Sequence, residues 1–220
     1  MERTVLNGLK VKHSVFDTLL ARFFAVALER TRGYDSFLIR RLYWNFRARD
    51  ISETYGASTS DFEILLTVIA SVNANRVLDL GCGSGRLFPL YERLGLHVVG
   101  QDISRNALNL AKARHSCENI TLLNSRVENI DFPDKYFDLV ISNRVLQHIP
   151  PNTIESSVAS ICRLARSVYV NELSDTDGII QQRGYIFTHD YVRLFGNFGF
   201  KLRDSGRMDR QTWLLFSKTS

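Results

Sequence analysis

The sequence predicts an α/β protein built on a doubly wound, largely parallel sheet, and three observations carry that reading. Short runs of β-forming residues recur with helix-like segments between them, at Arg76–Leu80, Leu96–Gln101, Ile120–Asn124, from Tyr136 onward, and at Val168–Leu173. The first run leads straight into Gly81, Gly83 and Gly85, which allow a turn so tight that backbone amides approach a ligand with no Cβ in the way. The second run ends on Asp102, about twenty residues beyond the glycine loop, the spacing that puts a carboxylate at the neighbouring strand's end where it can accept both hydroxyls of a ribose.

The elements follow in order. Residues 1–60 form a helical N-terminal extension and residues 61–220 the main domain. Val15–Arg30 and Phe37–Arg49 carry apolar residues at helical spacing with arginines on the other faces. Ten Lys and Arg stand against six Asp and Glu in this extension, so it holds most of the chain's net charge of +5. That basic face is either solvated or meets an anionic partner. Its aromatic residues, Phe16, Phe23, Phe24, Tyr43, Trp44 and Phe46, read as packing residues. Val15–Leu28 contains Asp17 and Arg22 and is too short to span a bilayer. No leader cleavage site follows it, and the three cysteines, Cys82, Cys117 and Cys162, are odd in number and lack metal-ligand spacing. A cytoplasmic, metal-free protein is expected. At 220 residues, 45% of them apolar, the chain can bury a full core unaided. Ser104 reads as the N-cap of a helix beginning near Asn106, a role Asp102 could share. Ile161–Arg166 reads as a helix approaching the fifth strand, Thr188–Asn197 as a helix capped by Thr188, and Gly199–Arg203 and Gln211–Lys218 as two further strands.

The motif at the first strand, Val77-Leu-Asp-Leu-Gly-Cys-Gly-Ser-Gly-Arg-Leu87, is not a dinucleotide fingerprint. Its glycines are spaced G-x-G-x-G rather than G-x-G-x-x-G, and Asp79 precedes them where a pyrophosphate site stays neutral. A carboxylate there suits a ligand bearing a cation. With Asp79, the glycines and Asp102, the chain resembles the class I S-adenosylmethionine-dependent methyltransferases of the small-molecule type. That family's run Phe-Asp-x-Val-x-x-x-x-Val-Leu-x-His-Ile is similar to Phe137 to Ile149 here.

The resemblance implies a Rossmann-like seven-stranded sheet in the order 3-2-1-4-5-7-6, with strand seven antiparallel. It implies S-adenosylmethionine as cofactor, held by Tyr55, Asp79, Gly81, Cys82, Gly83, Gly85, Asp102, Ile103, Arg126, Val127 and Asn143. Tyr55 resembles the family's aromatic lid. Ser142, Asn143 and Arg144 would face the reaction centre. Two departures stand out: Arg126 occupies the position of an aspartate that accepts from the adenine amino group, and Leu164-Ala-Arg-Ser167 replaces the usual Lys-Pro-Gly-Gly turn. A guanidinium cannot accept, so adenine would be read by backbone near Arg126 and Val127 or by Asn124 and Ser125; Arg126 itself is expected in solvent.

The expected activity is transfer of a methyl group to an oxygen or nitrogen of a small molecule or modest acceptor group, driven largely by holding the reacting atoms in line. His148, His189 and Glu172 are the candidates for proton removal, Asn143 and Arg144 for orientation, and Tyr185 or Tyr55 for closing the site. His148 could instead serve only as a packing residue. The alternatives are an RNA methyltransferase gripping phosphates with the basic extension, a non-catalytic cofactor-binding interaction module, and, most weakly, an NAD-dependent enzyme.

Overall fold

The computed structural model describes residues 36–54, 59–115, 118–173, 185–208 and 211–218. The expected helix Val15–Arg30 and Tyr55 lie outside these residues. Helices α1 (Phe37–Thr54) and α2 (Thr59–Ser71) precede β1 (Arg76–Leu80), followed by α3 (Phe88–Arg93), β2 (His97–Asp102), α4 (Arg105–Arg114), β3 (Ile120–Asn124), β4 (Phe137–Asn143), α5 (Ile154–Leu164), β5 (Ala165–Glu172), α6 (Tyr191–Gly196), β6 (Phe200–Met208) and β7 (Gln211–Lys218). The sheet order is 3-2-1-4-5-7-6. Strands β1 to β5 run parallel, and β7 is antiparallel to both β5 and β6. The expected topology is therefore the observed one.

Strands buried on both faces need near-continuous apolar runs, and β1, β4 and β5 have them. Alternate residues serve opposite layers. Leu78, Leu80, Val140, Val168 and Val170 pack with Ile154, Val158 and Ile161 of α5. Val77, Leu139, Ile141 and Tyr169 pack with Leu65, Val68 and Ile69 of α2 and with Phe88 and Tyr91 of α3. The same parity sends Ser142 and Glu172 to the α5 side and Asp79, Asn143 and Asn171 to the other.

Several boundaries move. Strand β5 begins at Ala165, because Ala165 pairs with Phe137 of β4 and takes over residues expected to be helical. Helix α6 is capped by Asp190, which accepts from Arg193 N at 2.9 Å, not by Thr188, whose hydroxyl is buried without a partner. Strand β6 runs on to Met208 through a bulge between Leu202 and Asp204, and its exposed residues Lys201, Arg203 and Arg207 give the edge a charged face. Ser104 caps α4 as expected, accepting from Ala107 N at 3.1 Å.

Helix α1 is docked by Asn45. Its Oδ1 accepts from Ser104 Oγ at 3.0 Å and from Asn106 N at 3.3 Å, while Asn106 Nδ2 donates to the Asn45 carbonyl at 3.1 Å. These bonds lay α1 across the carboxyl ends of β1 and β2. Among the described residues no helix is long and apolar enough to cross a membrane.

Candidate functional site

The chain leaves β1 through a loop whose conformation only glycine accepts cheaply. Gly81, Gly83 and Gly85 have φ of 58°, 58° and 81°. They differ in what surrounds them. A Cβ on Gly81 would lie 2.5 Å from Val145 Cγ2, and one on Gly85 would lie 2.6 Å from the Phe88 ring, so both are packed against neighbours. A Cβ on Gly83 would meet no atom closer than 4.0 Å, which leaves open space above this residue.

The end of β2 holds the loop. Gln101 accepts from Gly81 N through Oε1 at 3.3 Å and from Cys82 N through its carbonyl at 2.9 Å. Its amide nitrogen donates to the Ser125 carbonyl, which ties in the segment after β3. Asp102 accepts from Gly83 N at 3.0 Å through Oδ2 and from Ser104 N at 2.7 Å through Oδ1. Burial raises its carboxyl to about 6, against the pull of those amide bonds. Gln101 was missed in the sequence, although a buried polar residue at the end of an otherwise apolar strand was the signal available.

Asp79 is placed beneath this loop, not in the cavity wall. It is 2% exposed, and Oδ2 has no hydrogen-bond partner. Burial lifts its carboxyl to about 7, opposed first by the Arg86 guanidinium and then by the Tyr91 hydroxyl. Arg86 is itself fixed by Asp61 of α2 at 3.2 Å. A buried carboxylate with an unused oxygen favours a cation brought close to it.

A cavity of about 430 Å³ opens over the carboxyl ends of β1, β2 and β4, within the range of small-ligand sites. Of the expected cofactor residues, Gly81, Cys82, Gly83, Asp102, Ile103, Arg126, Val127 and Asn143 all line it; Asp79 and Gly85 support it from behind. Arg126 is not simply solvated. Its Nε donates to Glu128 at 3.2 Å and its guanidinium lies 4.5 Å from the Phe37 ring centre, linking α1 to the segment after β3. Cys82 is buried, which pushes its thiol well above the ordinary range and leaves it a packing group.

The β4 side is built differently. Glu172, expected as a proton acceptor, is completely buried and accepts from Ser142 Oγ (2.7 Å), Val145 N (2.8 Å), Leu146 N (3.0 Å) and Gln147 N (3.2 Å). It is a clamp on the turn after β4. Burial raises its carboxyl to about 7 even against those four bonds, but no substrate reaches it. His189 is a second correction: Nε2 meets the Ile149 carbonyl at 2.9 Å, the ring packs against Phe187 and Tyr191, and the residue is absent from the cavity wall.

His148 does reach the cavity. It lies in a single 3-10 turn, Leu146–His148, with its ring against Trp44 and Tyr185. Nδ1 faces the Tyr185 carbonyl at 2.8 Å and must carry the proton, which leaves Nε2 as the accepting nitrogen, 3.3 Å from the Gln147 amide nitrogen. Burial lowers the ring to about 4, so His148 is neutral near pH 7 and a weak proton acceptor there. Tyr185 lines the cavity and packs on Tyr43.

Helix α1 completes the wall. Phe37, Arg40, Trp44, Arg47 and Ala48 share one face, at the spacing of successive turns, and all line the cavity. Of the arginines expected on a solvated face, Arg41 is exposed, while Arg40 and Arg47 are turned inward.

A methyltransferase-domain family model matches residues 77–167. The chain is 32% identical over 105 residues to ubiquinone biosynthesis O-methyltransferase of Proteus mirabilis, covering 45% of this chain and 42% of that protein. It is 38% identical over 93 residues to ribosomal protein L11 methyltransferase of Lactobacillus gasseri, covering 41% and 29%. The matched part thus spans less than half the length of these curated relatives. In fold, the chain is similar over 98% of its length to 1,6-didemethyltoxoflavin-N1-methyltransferase of Burkholderia thailandensis, solved with bound 1,6-didemethyltoxoflavin and S-adenosylhomocysteine. The TM-score is 0.64 at 20% identity, with 94% of that chain covered.

Proposed function

We propose that residues 77–167 belong to a class I S-adenosylmethionine-dependent methyltransferase domain, that the chain transfers a methyl group from S-adenosylmethionine to an oxygen or nitrogen of a small molecule, and that residues 1–60 act as an extension on the acceptor side. The observation that carries this reading is the open space above Gly83, framed by Asp102, with the unpartnered oxygen of Asp79 below the loop. Those groups fit an aminoacyl nucleoside with a positive charge. Asp102 would take the ribose hydroxyls with its remaining lone pairs, Gly81 and Gly83 would lie against the cofactor backbone, and Ile103, Val127 and Phe37 would enclose the base. The cofactor would supply an activated methyl group; the protein would supply alignment and a cavity walled on one side by Trp44 and Tyr185.

S-adenosylhomocysteine should therefore raise the melting temperature, since a ligand bound only by the folded state stabilises it by about 2.7 kcal/mol at one hundred times its dissociation constant. NAD should have no effect. Asp102→Ala should remove most of the shift, each charge-assisted bond being worth roughly 1.5–3 kcal/mol. Stabilisation by NAD alone would reject the assignment.

The sealed Glu172 and His189 favour a second reading, a cofactor-binding module without turnover. Incubating a cell extract with methyl-labelled cofactor, with and without the protein, separates the two. An RNA acceptor is less well supported, because Arg40 and Arg47 face the cavity instead of an outer surface.

A further inference from the structure

Arg144, immediately after β4, has φ of 63°, a left-handed conformation that is costly for a long side chain and that the surroundings must enforce. They do so from two sides. Its amide donates to the Asn171 carbonyl at 2.9 Å, and its Nε donates to Gln211 Oε1 at 2.8 Å. Both partners are neutral. No carboxylate among the described residues pairs with this guanidinium, and it lines the cavity.

Its neighbour Asn143 lines the same wall at 8% exposure. Asn143 Oδ1 accepts from Asn171 at 3.2 Å, but Asn143 Nδ2 is buried with no partner. Two adjacent residues therefore hold donors without an acceptor at one place, Arg144 in the cavity wall and the Asn143 amide nitrogen buried beside it. The cavity acids are committed elsewhere: Asp102 to Gly83 and Ser104, Glu128 to Arg126 and Ser157. Val145, the next residue, packs against Gly81, so this donor pair stands beside the glycine loop. Arg40 and Arg47, each with its own contacts, add positive potential to the wall.

We propose that the methyl acceptor is a small acid, a carboxylate or an acidic phenol, that binds as its oxyanion to Arg144 and Asn143, so that transfer requires no protein base. This rests on the methyltransferase reading and names its acceptor class. The oxyanion's lone pair forms the O–C bond while the C–S bond breaks onto sulfur, which leaves as a neutral thioether; no proton moves. The geometry matches what the candidate bases do, since Glu172 and His189 are sealed and His148 is kept neutral by burial, its two nitrogens facing the Tyr185 carbonyl and the Gln147 amide.

The test titrates the S-adenosylhomocysteine complex with benzoate against benzamide, and with 4-nitrophenol against 4-nitroanisole. In at least one pair the acid should bind about tenfold or more tightly than its neutral counterpart. Bound 4-nitrophenol should absorb as phenolate below the pH at which it ionises free in solution, a signature that a purely structural arginine would not produce. Arg144→Asn, chosen because asparagine tolerates a left-handed backbone, should abolish the preference and leave S-adenosylhomocysteine affinity unchanged. Should that variant not fold, Gln211→Ala, which keeps the Asn171 carbonyl that holds the Arg144 amide, should reduce the preference.

No preference in either pair overturns the proposal, as does a preference that survives loss of Arg144. A fall in S-adenosylhomocysteine affinity without a change in acid preference also overturns it, assigning Arg144 to the cofactor. Failure of S-adenosylhomocysteine to bind the wild-type protein at all would instead reject the methyltransferase reading itself, and this inference with it.

Discussion

The two sides of the cavity are made of different materials. Over β1 and β2 the wall is backbone: two left-handed glycines, Gly81 and Gly83, whose amides are tied down by Gln101 and Asp102 from the next strand. Over β4 and β5 the wall is side chain, with Arg144, Asn143, His148 and Tyr185 positioned by partners from β7, β5 and the segment before α6. A backbone cradle can hold any ligand with the right outline and leaves little to vary. A side-chain wall, assembled from remote elements, sets the chemistry that it will accept. The first side suits a shared cofactor and the second an individual acceptor.

The sharpest way to break this contrast is to remove the clamp on the side-chain half. Glu172→Ala leaves Ser142 and the amides of Val145, Leu146 and Gln147 without their acceptor. At about 1–3 kcal/mol for each buried donor left unmade, the loss from these four should be about 4 kcal/mol or more. With roughly 2–4 °C per kcal/mol for a chain of this size, thermal melts should fall by about 10 °C. A melting temperature within a degree or two of wild type would mean that Glu172 does not organise the turn.

Two glycine substitutions sharpen the other half. Gly81→Ala meets Val145 as well as an unfavourable φ, so it should lose more stability than Gly83→Ala, whose cost should be close to the about 1–2 kcal/mol of a left-handed backbone alone. Binding should rank the other way. The new methyl of Gly83→Ala enters the space proposed for the cofactor, so calorimetry should show the greater loss of S-adenosylhomocysteine affinity relative to stability in that variant. Equal affinity in Gly83→Ala and wild type would place the cofactor elsewhere.

The smallest effect is a pH dependence centred on Asp79. Its carboxyl is raised by burial from about 4 to about 7, so the folded state holds a proton that the unfolded chain has released. The stability this group contributes is complete below about pH 4 and is lost as pH rises through about 7. Asp79→Asn, which cannot ionise, should match wild type near pH 4 and melt a few degrees higher than wild type above pH 7 when no cofactor is present. It should also gain less from S-adenosylhomocysteine at pH 8, because the ionised oxygen is what suits a cation. Parallel melting curves for the two proteins from pH 5 to 8 would remove Asp79 from the electrostatics of the site.

Most of the cofactor side was legible in the sequence because its contacts connect residues at short, regular separations. Gly83 and Asp102 are 19 residues apart, Gly81 and Gln101 are 20, and both pairs follow from adjacent parallel strands with one helix between them. Gly81, Gly83 and Gly85 announced their backbone, and Asp102 its strand end. The candidate bases were not legible, since access to the cavity, which His148 has and His189 and Glu172 lack, is not encoded in residue type. Nothing local to Arg126 signals its contact with the Phe37 ring, which lies 89 residues earlier in the chain.

What the sequence determined by itself was the alternation of strands and helices, the glycine turn after β1 and the identity of the acidic strand end, all consequences of local backbone preference and of apolar runs with a fixed period. What only the tertiary structure decided was which polar groups remain available. Ser104 meets Asn45 across 59 residues and Arg144 meets Gln211 across 67, pairings that no local pattern encodes. Whether a carboxylate becomes a clamp, a cradle for a ligand or an unused buried charge depends on the donors that long-range packing brings to it, because burial costs free energy that only such partners offset.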